Sequence, residues 1–145
     1  MLNPHAYSKR ASRTMSEEIS LFRLYLMRFL YLLNFVLLGL DVWPGIINHL
    51  GAWDPVKGVA FSFWAALSAL SGLGLRYPLK MLPLLLLQLL YKLVWLIAVA
   101  LPQWAALRST PIARAMVIGV VLDLIAIPWP YVLSNYVTKR GDRWR

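Results

Sequence analysis

Residues 82–101 read LPLLLLQLLYKLVWLIAVAL, twenty residues in which Lys92 is the one charged side chain. A helix needs about 20 apolar residues to cross the hydrocarbon core of a bilayer. This segment therefore predicts a membrane-spanning helix with Lys92 near the middle of the membrane. An isolated ammonium at that depth costs roughly 2.5–3.5 kcal/mol on insertion scales. We expect Lys92 to have a carboxylate partner, to face a water-filled cavity or to be deprotonated.

The composition of the whole chain also indicates a membrane protein. Of its 145 residues, 60% are hydrophobic and 14% are charged, and the mean hydropathy is +0.62. The net charge of +9 comes from Lys and Arg near the ends of apolar segments. That distribution favours membrane topology and anionic lipid headgroups over nucleic acid as its explanation. The chain has no cysteine, which excludes disulfides, thiolate nucleophiles, iron–sulfur clusters and cysteine zinc sites.

The pattern of apolar segments predicts an all-α integral membrane protein, a bundle of four transmembrane helices at residues 21–42, 59–75, 82–101 and 115–136. Residues 19–138 would form this membrane domain, between an N-terminal segment, 1–18, and a basic tail, 139–145. We interpret the first apolar run as an uncleaved anchor, since no signal-peptide pattern precedes it. Pro128 and Pro130 should kink the fourth helix or end its regular part.

Positive charge is distributed unevenly between the two ends of these helices. Eleven Lys and Arg lie in the N-terminal region, the second loop and the tail, if Arg23 and Arg28 are counted with the first. Only Lys57, Arg108 and Arg114 lie in the first and third loops. This bias predicts that both termini face the cytoplasm.

Asp123 is the best candidate partner for Lys92, because it is the only carboxylate deep inside another apolar segment. At 1.5 Å per residue, both residues lie roughly 12–14 Å below the outer ends of their helices. Helices joined by a short loop are usually antiparallel neighbours, so we expect an ion pair. Other residues fall in the same layer or beside it: Asn34, Ser68 and Gln88 as polar groups, with Tyr91, Trp95, Trp64 and Gly119 around them.

Three hypotheses explain this polar cluster, and the residues alone leave all three open. The cluster could be a structural lock that holds the helices in register. It could be the polar floor of a pocket for a hydrophobic ligand with a polar head, walled by Tyr91, Trp95, Trp64 and Gly119. It could be a proton or ion relay, since Lys92 and Asp123 are both ionisable.

The remaining signals point to no metal site and no catalytic residues. Most tryptophans fall near predicted interfaces, where an aromatic belt is typical of membrane proteins. His5 and His49 are far apart and predict no metal or haem site. No phosphate loop, dinucleotide fingerprint or serine-nucleophile motif is present.

Residues 76–96, RYPLKMLPLLLLQLLYKLVWL, together with the four-helix layout, resemble small DoxX-like bacterial membrane proteins. Some proteins of that type are membrane subunits linked to quinone-dependent sulfur oxidation. The resemblance implies an inner-membrane location and makes quinone, beside lipid, a candidate ligand. It implies no catalytic residues in this chain.

These observations predict a non-catalytic accessory or structural subunit with an intramembrane pocket for lipid or quinone. Its partners would be the lipid bilayer and either other membrane subunits or further copies of the chain. A membrane subunit of a quinone-linked oxidoreductase is the first alternative. The second is a small proton-coupled transporter, which would have to act as a dimer because four helices are few for alternating access.

Overall fold

The computed structural model describes residues 20–138, and all regular structure in that range is helical. The helices are α1 (Leu21–Ile47), α2 (Pro55–Arg76), α3 (Leu82–Leu107), α4 (Pro111–Ala126) and α5 (Trp129–Thr138). The predicted N-terminal segment, 1–18, and the basic tail, 139–145, lie outside the described residues.

Three helices, α1, α2 and α3, are each long and apolar enough to cross a membrane. The helices α4 and α5 meet that test only together, as one span bent by 73°. The predicted all-helical fold class is therefore confirmed. The number of helices that could span a membrane is three, or four when the bent pair is taken as one.

Two helices begin one turn before their predicted starts at Val59 and Ala115. The carboxylate of Asp54 caps α2 by accepting a backbone N–H at 2.8 Å, and the hydroxyl of Thr110 caps α4 in the same way at 3.3 Å. A proline follows each cap directly. A capping oxygen followed by proline at the first helical position is a strong start signal, whereas the predicted starts followed hydropathy alone.

Two other helices continue past their predicted ends at Val42 and Leu101. Helix α1 runs through Pro44, and α3 passes Pro102 in a short 3₁₀ turn after a π-helical stretch, Leu96–Ala100. A proline removes one backbone donor, and a local change in the hydrogen-bond ladder accommodates that loss. Proline near the end of an apolar run therefore did not mark the helix end here.

The interruption expected at Pro128 and Pro130 does separate α4 from α5. Ile127 is extended, with φ −66° and ψ 124°, because a following proline ring disfavours the α conformation in the residue before it. The indole N–H of Trp129 donates to the carbonyl of Leu124 at 2.9 Å. This bond satisfies an acceptor that the end of α4 leaves free.

The helices α1 to α4 pack in a ring, in which each contacts the next and α4 contacts α1. Buried apolar side chains of all four helices meet in one core inside the ring. Large apolar side chains also cover the outside, and examples are Leu40 at 70% exposure and Leu90 at 60%. An apolar exterior around an apolar core suits a lipid environment, because the hydrocarbon is as apolar as the side chains.

Tyr31 anchors α1 to α2 and to the turn before α3. Its ring is fully buried against Gly74, where a Cβ would overlap the ring. Its hydroxyl donates to the carbonyl of Pro78 at 3.1 Å, and Nε of Arg28 donates to the carbonyl of Leu75 at 3.2 Å. The ring can approach α2 this closely only because residue 74 has no side chain.

Replacement of Gly74 by alanine should destabilise the protein. The new methyl would force the Tyr31 ring or the α1 backbone to move, and overpacking of this kind costs about 1–3 kcal/mol. The matched control is Gly58→Ala in the same helix, where the nearest neighbour of the methyl, Trp53 Cβ, is 3.8 Å away. There the helix propensity of alanine should leave stability unchanged or raise it by up to about 1 kcal/mol.

Thermal unfolding in detergent micelles measures both variants. Adding Tyr31→Leu to Gly74→Ala should restore part of the loss, because the smaller side chain leaves room for the methyl. Equal midpoints for the Gly74 and Gly58 variants would show that the close contact of α1 with α2 is absent.

Candidate functional site

Helices α3 and α4 bring a lysine and an aspartate together inside the ring. The Nζ atom of Lys92 lies 3.0 Å from Oδ2 of Asp123. The carboxylate is fully buried, and the lysine side chain is 11% exposed. The ion pair expected from the equal depth of these two residues is therefore present in the structure.

Two amide side chains extend this ion pair into a network. Nε2 of Gln88 donates to Oδ1 of Asp123 at 2.9 Å and to Oδ2 at 3.2 Å. Nδ2 of Asn34 donates in turn to Oε1 of Gln88. The network thus runs from α1 through α3 to α4, and it reaches across the ring.

Local helix geometry explains why these side chains converge. Gln88 and Lys92 are four residues apart on α3, so they lie on one face, one above the other. Asn34 is the first residue of a π-helical stretch, Asn34–Leu38, within α1. Such stretches are rare inside α-helices and are frequent at functional sites.

Both oxygens of the Asp123 carboxylate are used in hydrogen bonds, whereas only part of the hydrogen-bonding capacity of the Lys92 ammonium is used. Both oxygens of Asp123 accept hydrogen bonds, and no buried side-chain polar atom among residues 20–138 lacks a partner. An ammonium carries three donors, and within the described residues Nζ of Lys92 donates one hydrogen bond, to Asp123. Its other two N–H groups have no hydrogen-bond partner among residues 20–138.

Gly119 makes room for the ammonium. A Cβ at this position would lie 2.6 Å from Nζ of Lys92 and 3.0 Å from its Cε. Gly119 precedes Asp123 by one helical turn, so the lysine side chain lies across the bare backbone of α4 on its way to the carboxylate. A side chain at position 119 would compete with the amine for this space.

The network forms part of the wall of a cleft of about 610 Å³ between α1 and α4. This volume lies within the usual range for sites that bind small molecules, about 300–1,000 Å³. The cleft has one polar region, formed by the network, and mostly apolar walls, which include Leu33, Leu38, Met116 and Leu122. Leu37 and Ile118, which are 61% and 59% exposed, line it from α1 and α4 and mark an apolar mouth.

The cleft includes most of the residues that the sequence singled out, but not all. Trp64, Tyr91 and Gly119 line it together with the four network residues. Trp95 is half-buried on α3 and does not line the cleft. Ser68 is buried elsewhere, where its hydroxyl donates to the carbonyl of Phe35 at 3.2 Å between α2 and α1. Equal depth placed Ser68 correctly along its helix but said nothing about the direction of its side chain.

Asp41 is the residue of the cleft that sequence reasoning missed. It lies in α1, two turns before the end of this helix at Ile47, and it lines the cleft. The signal was present in the spacing: Asp41 follows Asn34 by seven residues, which is two helical turns and the same face. The predicted helix, 21–42, instead left Asp41 beside its last residue, and Asp41 was not included in the polar cluster.

Comparison with known proteins gives no match for this chain: no family model, no curated protein and no solved structure matches it. The resemblance to DoxX-like proteins therefore stays a prediction. Among residues 20–138, no group of three His, Asp or Glu side chains could hold a metal ion. The functional argument rests on the cleft and the network.

Removal of one partner of the ion pair should be far more harmful than removal of both. Lys92→Leu alone leaves a buried carboxylate without its counter-charge, which costs about 3–5 kcal/mol. The double variant with Asp123→Val removes both charges and leaves only the amide of Gln88 without its acceptor, so most of the loss should disappear. A double-mutant cycle of unfolding free energies in detergent measures the difference.

A matched control for this cycle is Lys57→Leu, since Lys57 is exposed in the first turn of α2 and its loss should cost little. If the double variant is as unstable as either single variant, the ion pair does not lock the helices.

Proposed function

We propose that the chain is a multi-pass protein of a bacterial inner membrane that holds a lipid-like molecule or a quinone in the cleft between α1 and α4. It would act as a non-catalytic accessory subunit. The observation that carries this proposal is the cleft itself, which combines apolar walls with one polar region centred on Lys92. A molecule with a long apolar part and a small polar head matches that arrangement.

The membrane assignment is supported by the length and composition of α1, α2 and α3 and by the apolar exterior of the ring. We propose that α4 and α5 together form the fourth span, so that both termini lie on the cytoplasmic side. The loop with Arg76 and Lys80 would then face the cytoplasm, in agreement with the positive-inside rule. The apolar outer surface would contact lipid, other membrane subunits or a second copy of the chain.

The non-catalytic role is supported by the state of Asp123. A general base must reach the proton that it abstracts, but this carboxylate is fully buried and already accepts three hydrogen bonds. The group that remains available in the cleft is the ammonium of Lys92, which can donate hydrogen bonds to a bound molecule. Such a site holds and orients a ligand without changing it.

The proposed topology is testable with single cysteines, since the chain contains none of its own. Ala52→Cys, Lys80→Cys and Ser109→Cys place one thiol in each of the three loops, at residues that are exposed in the structure. In intact cells with a permeable outer membrane, a membrane-impermeant maleimide should label positions 52 and 109 but not 80. In inverted inner-membrane vesicles, the pattern should be reversed.

Labelling of all three cysteines from one side would show that the loops do not alternate across the membrane. The unmodified chain is the control for background, because it has no thiol. A permeable maleimide should label every variant in both preparations and shows that each thiol is accessible.

Ligand binding is testable by native mass spectrometry of gently extracted protein. The unmodified chain should carry a lipid or quinone that survives extraction, and Ile118→Trp should lose it because the larger ring fills the mouth of the cleft. The matched control is Leu90→Trp, which places the same ring on the exposed outer face of α3, away from the cleft.

Two results would contradict the proposal. One is a protein that carries no lipid-like molecule in any gentle extract. The other is equal loss of the bound molecule in the Leu90 and Ile118 variants, which would place it on the outer surface instead of in the cleft.

A further inference from the structure

We infer that the molecule in the cleft carries an uncharged head with a hydrogen-bond acceptor, such as a carbonyl oxygen, and that this oxygen binds Nζ of Lys92. The inference rests on the proposed function and specifies its ligand. Quinones and ester lipids share this head chemistry.

The first argument concerns hydrogen bonding. The ammonium of Lys92 is the charged donor on the cleft wall, its side chain is 11% exposed, and it donates to Asp123 alone among the described residues. Hydrogen bonds from a charged donor are roughly twice as strong as those between neutral groups. Asp123, which accepts that hydrogen bond, is fully buried behind Lys92 and Gln88. The wall of the cleft therefore presents a strong hydrogen-bond donor, which suits a bound molecule that carries a hydrogen-bond acceptor.

The second argument concerns charge. Three charged residues line the cleft: Lys92, Asp123 and Asp41. Lys92 and Asp123 neutralise each other, so the cleft as a whole carries the negative charge of Asp41. An anionic head would add a second negative charge without a counter-ion, and a cationic head would meet the ammonium at the polar wall. An uncharged head avoids both costs.

The third argument concerns the route into the cleft. The exposed residues at its mouth, Leu37 and Ile118, are apolar, and on the proposed topology they face the hydrocarbon. A head that enters between them must leave water first, and transfer of an unpaired ion into such surroundings is far more costly than transfer of a neutral carbonyl. Entry from the lipid side therefore also favours a molecule with an uncharged head.

The test compares four probes with similar alkyl chains and different heads: a decyl-substituted benzoquinone, methyl undecanoate, undecanoate and undecylamine. Saturable binding to the full chain in nanodiscs is followed by calorimetry at neutral pH. We expect the quinone or the ester to bind at least tenfold more tightly than the carboxylate and the amine. Comparison of the first two probes distinguishes the two sources of the carbonyl.

Two variants relate the bound oxygen to the charges of the cleft. Gly119→Ala places a methyl 2.6 Å from the position of Nζ, so the amine must shift, and binding of the uncharged probe should weaken about tenfold because its donor has moved. Asp41→Asn should strengthen binding of the carboxylate probe relative to the uncharged probe, because it removes the negative charge of the cleft. The alanine variant is compared with Gly58→Ala, whose methyl lies outside the cleft.

The outcomes separate this inference from the proposed function. Tighter binding of the carboxylate or of the amine overturns the inference and leaves the cleft as a ligand site. Binding of the uncharged probe that Gly119→Ala does not change also overturns it, because the head then lies away from Lys92. Failure of all four probes to bind, with no molecule in native extracts, overturns the proposed function as well.

Discussion

Lys92 and Asp123 fix α3 and α4 relative to each other in both height and rotation. A slip of one residue along an α-helix moves a side chain by about 1.5 Å and turns it by about 100°, which would break the 3.0 Å contact and leave two charges apart in apolar surroundings. The register of these helices therefore depends on a pair whose disruption costs about 3–5 kcal/mol. Gln88 and Asn34 carry the same constraint on to α1, whereas α2 is held differently, through the close fit of Tyr31 on Gly74.

The same arrangement also creates the cleft. The ammonium reaches Asp123 across Gly119, where the backbone of α4 is bare, and the lysine side chain occupies the space that a side chain at position 119 would take. Asp123 is shielded by its three hydrogen bonds, so the cleft presents the positive partner of the ion pair and hides the negative one. A structural lock and a ligand pocket are therefore compatible roles for one set of residues, because the lock uses one donor of Lys92 and a bound molecule would use the others.

The sequence predicted how deep each polar residue lies along its helix, but it did not predict towards which neighbour each side chain points. Hydropathy located the apolar helices, and equal depth paired Lys92 with Asp123, because rise per residue is constant along a helix. Depth could not tell that Ser68 turns towards the carbonyl of Phe35 or that Trp95 lies away from the cleft, since rotation is set by packing with neighbouring helices. The capping residues Asp54 and Thr110 indicated where α2 and α4 begin, but the predicted starts were taken from hydropathy alone. Asp41 was missed because a charged residue near proline resembles a helix end.

On the proposed function, the double use of Lys92 would couple ligand binding to the stability of the fold. A molecule that binds only the folded protein stabilises it by RT ln(1 + [L]/Kd), about 2.7 kcal/mol at a hundredfold excess over Kd. Because the bound head would contact the residue that sets the register of α3 and α4, this free energy would act directly on the contact between these two helices. A carbonyl oxygen suits this coupling better than a carboxylate. A neutral acceptor adds a hydrogen bond to Nζ without competing for its charge, whereas an anionic head would draw the ammonium away from Asp123 and weaken the contact that holds the helices together.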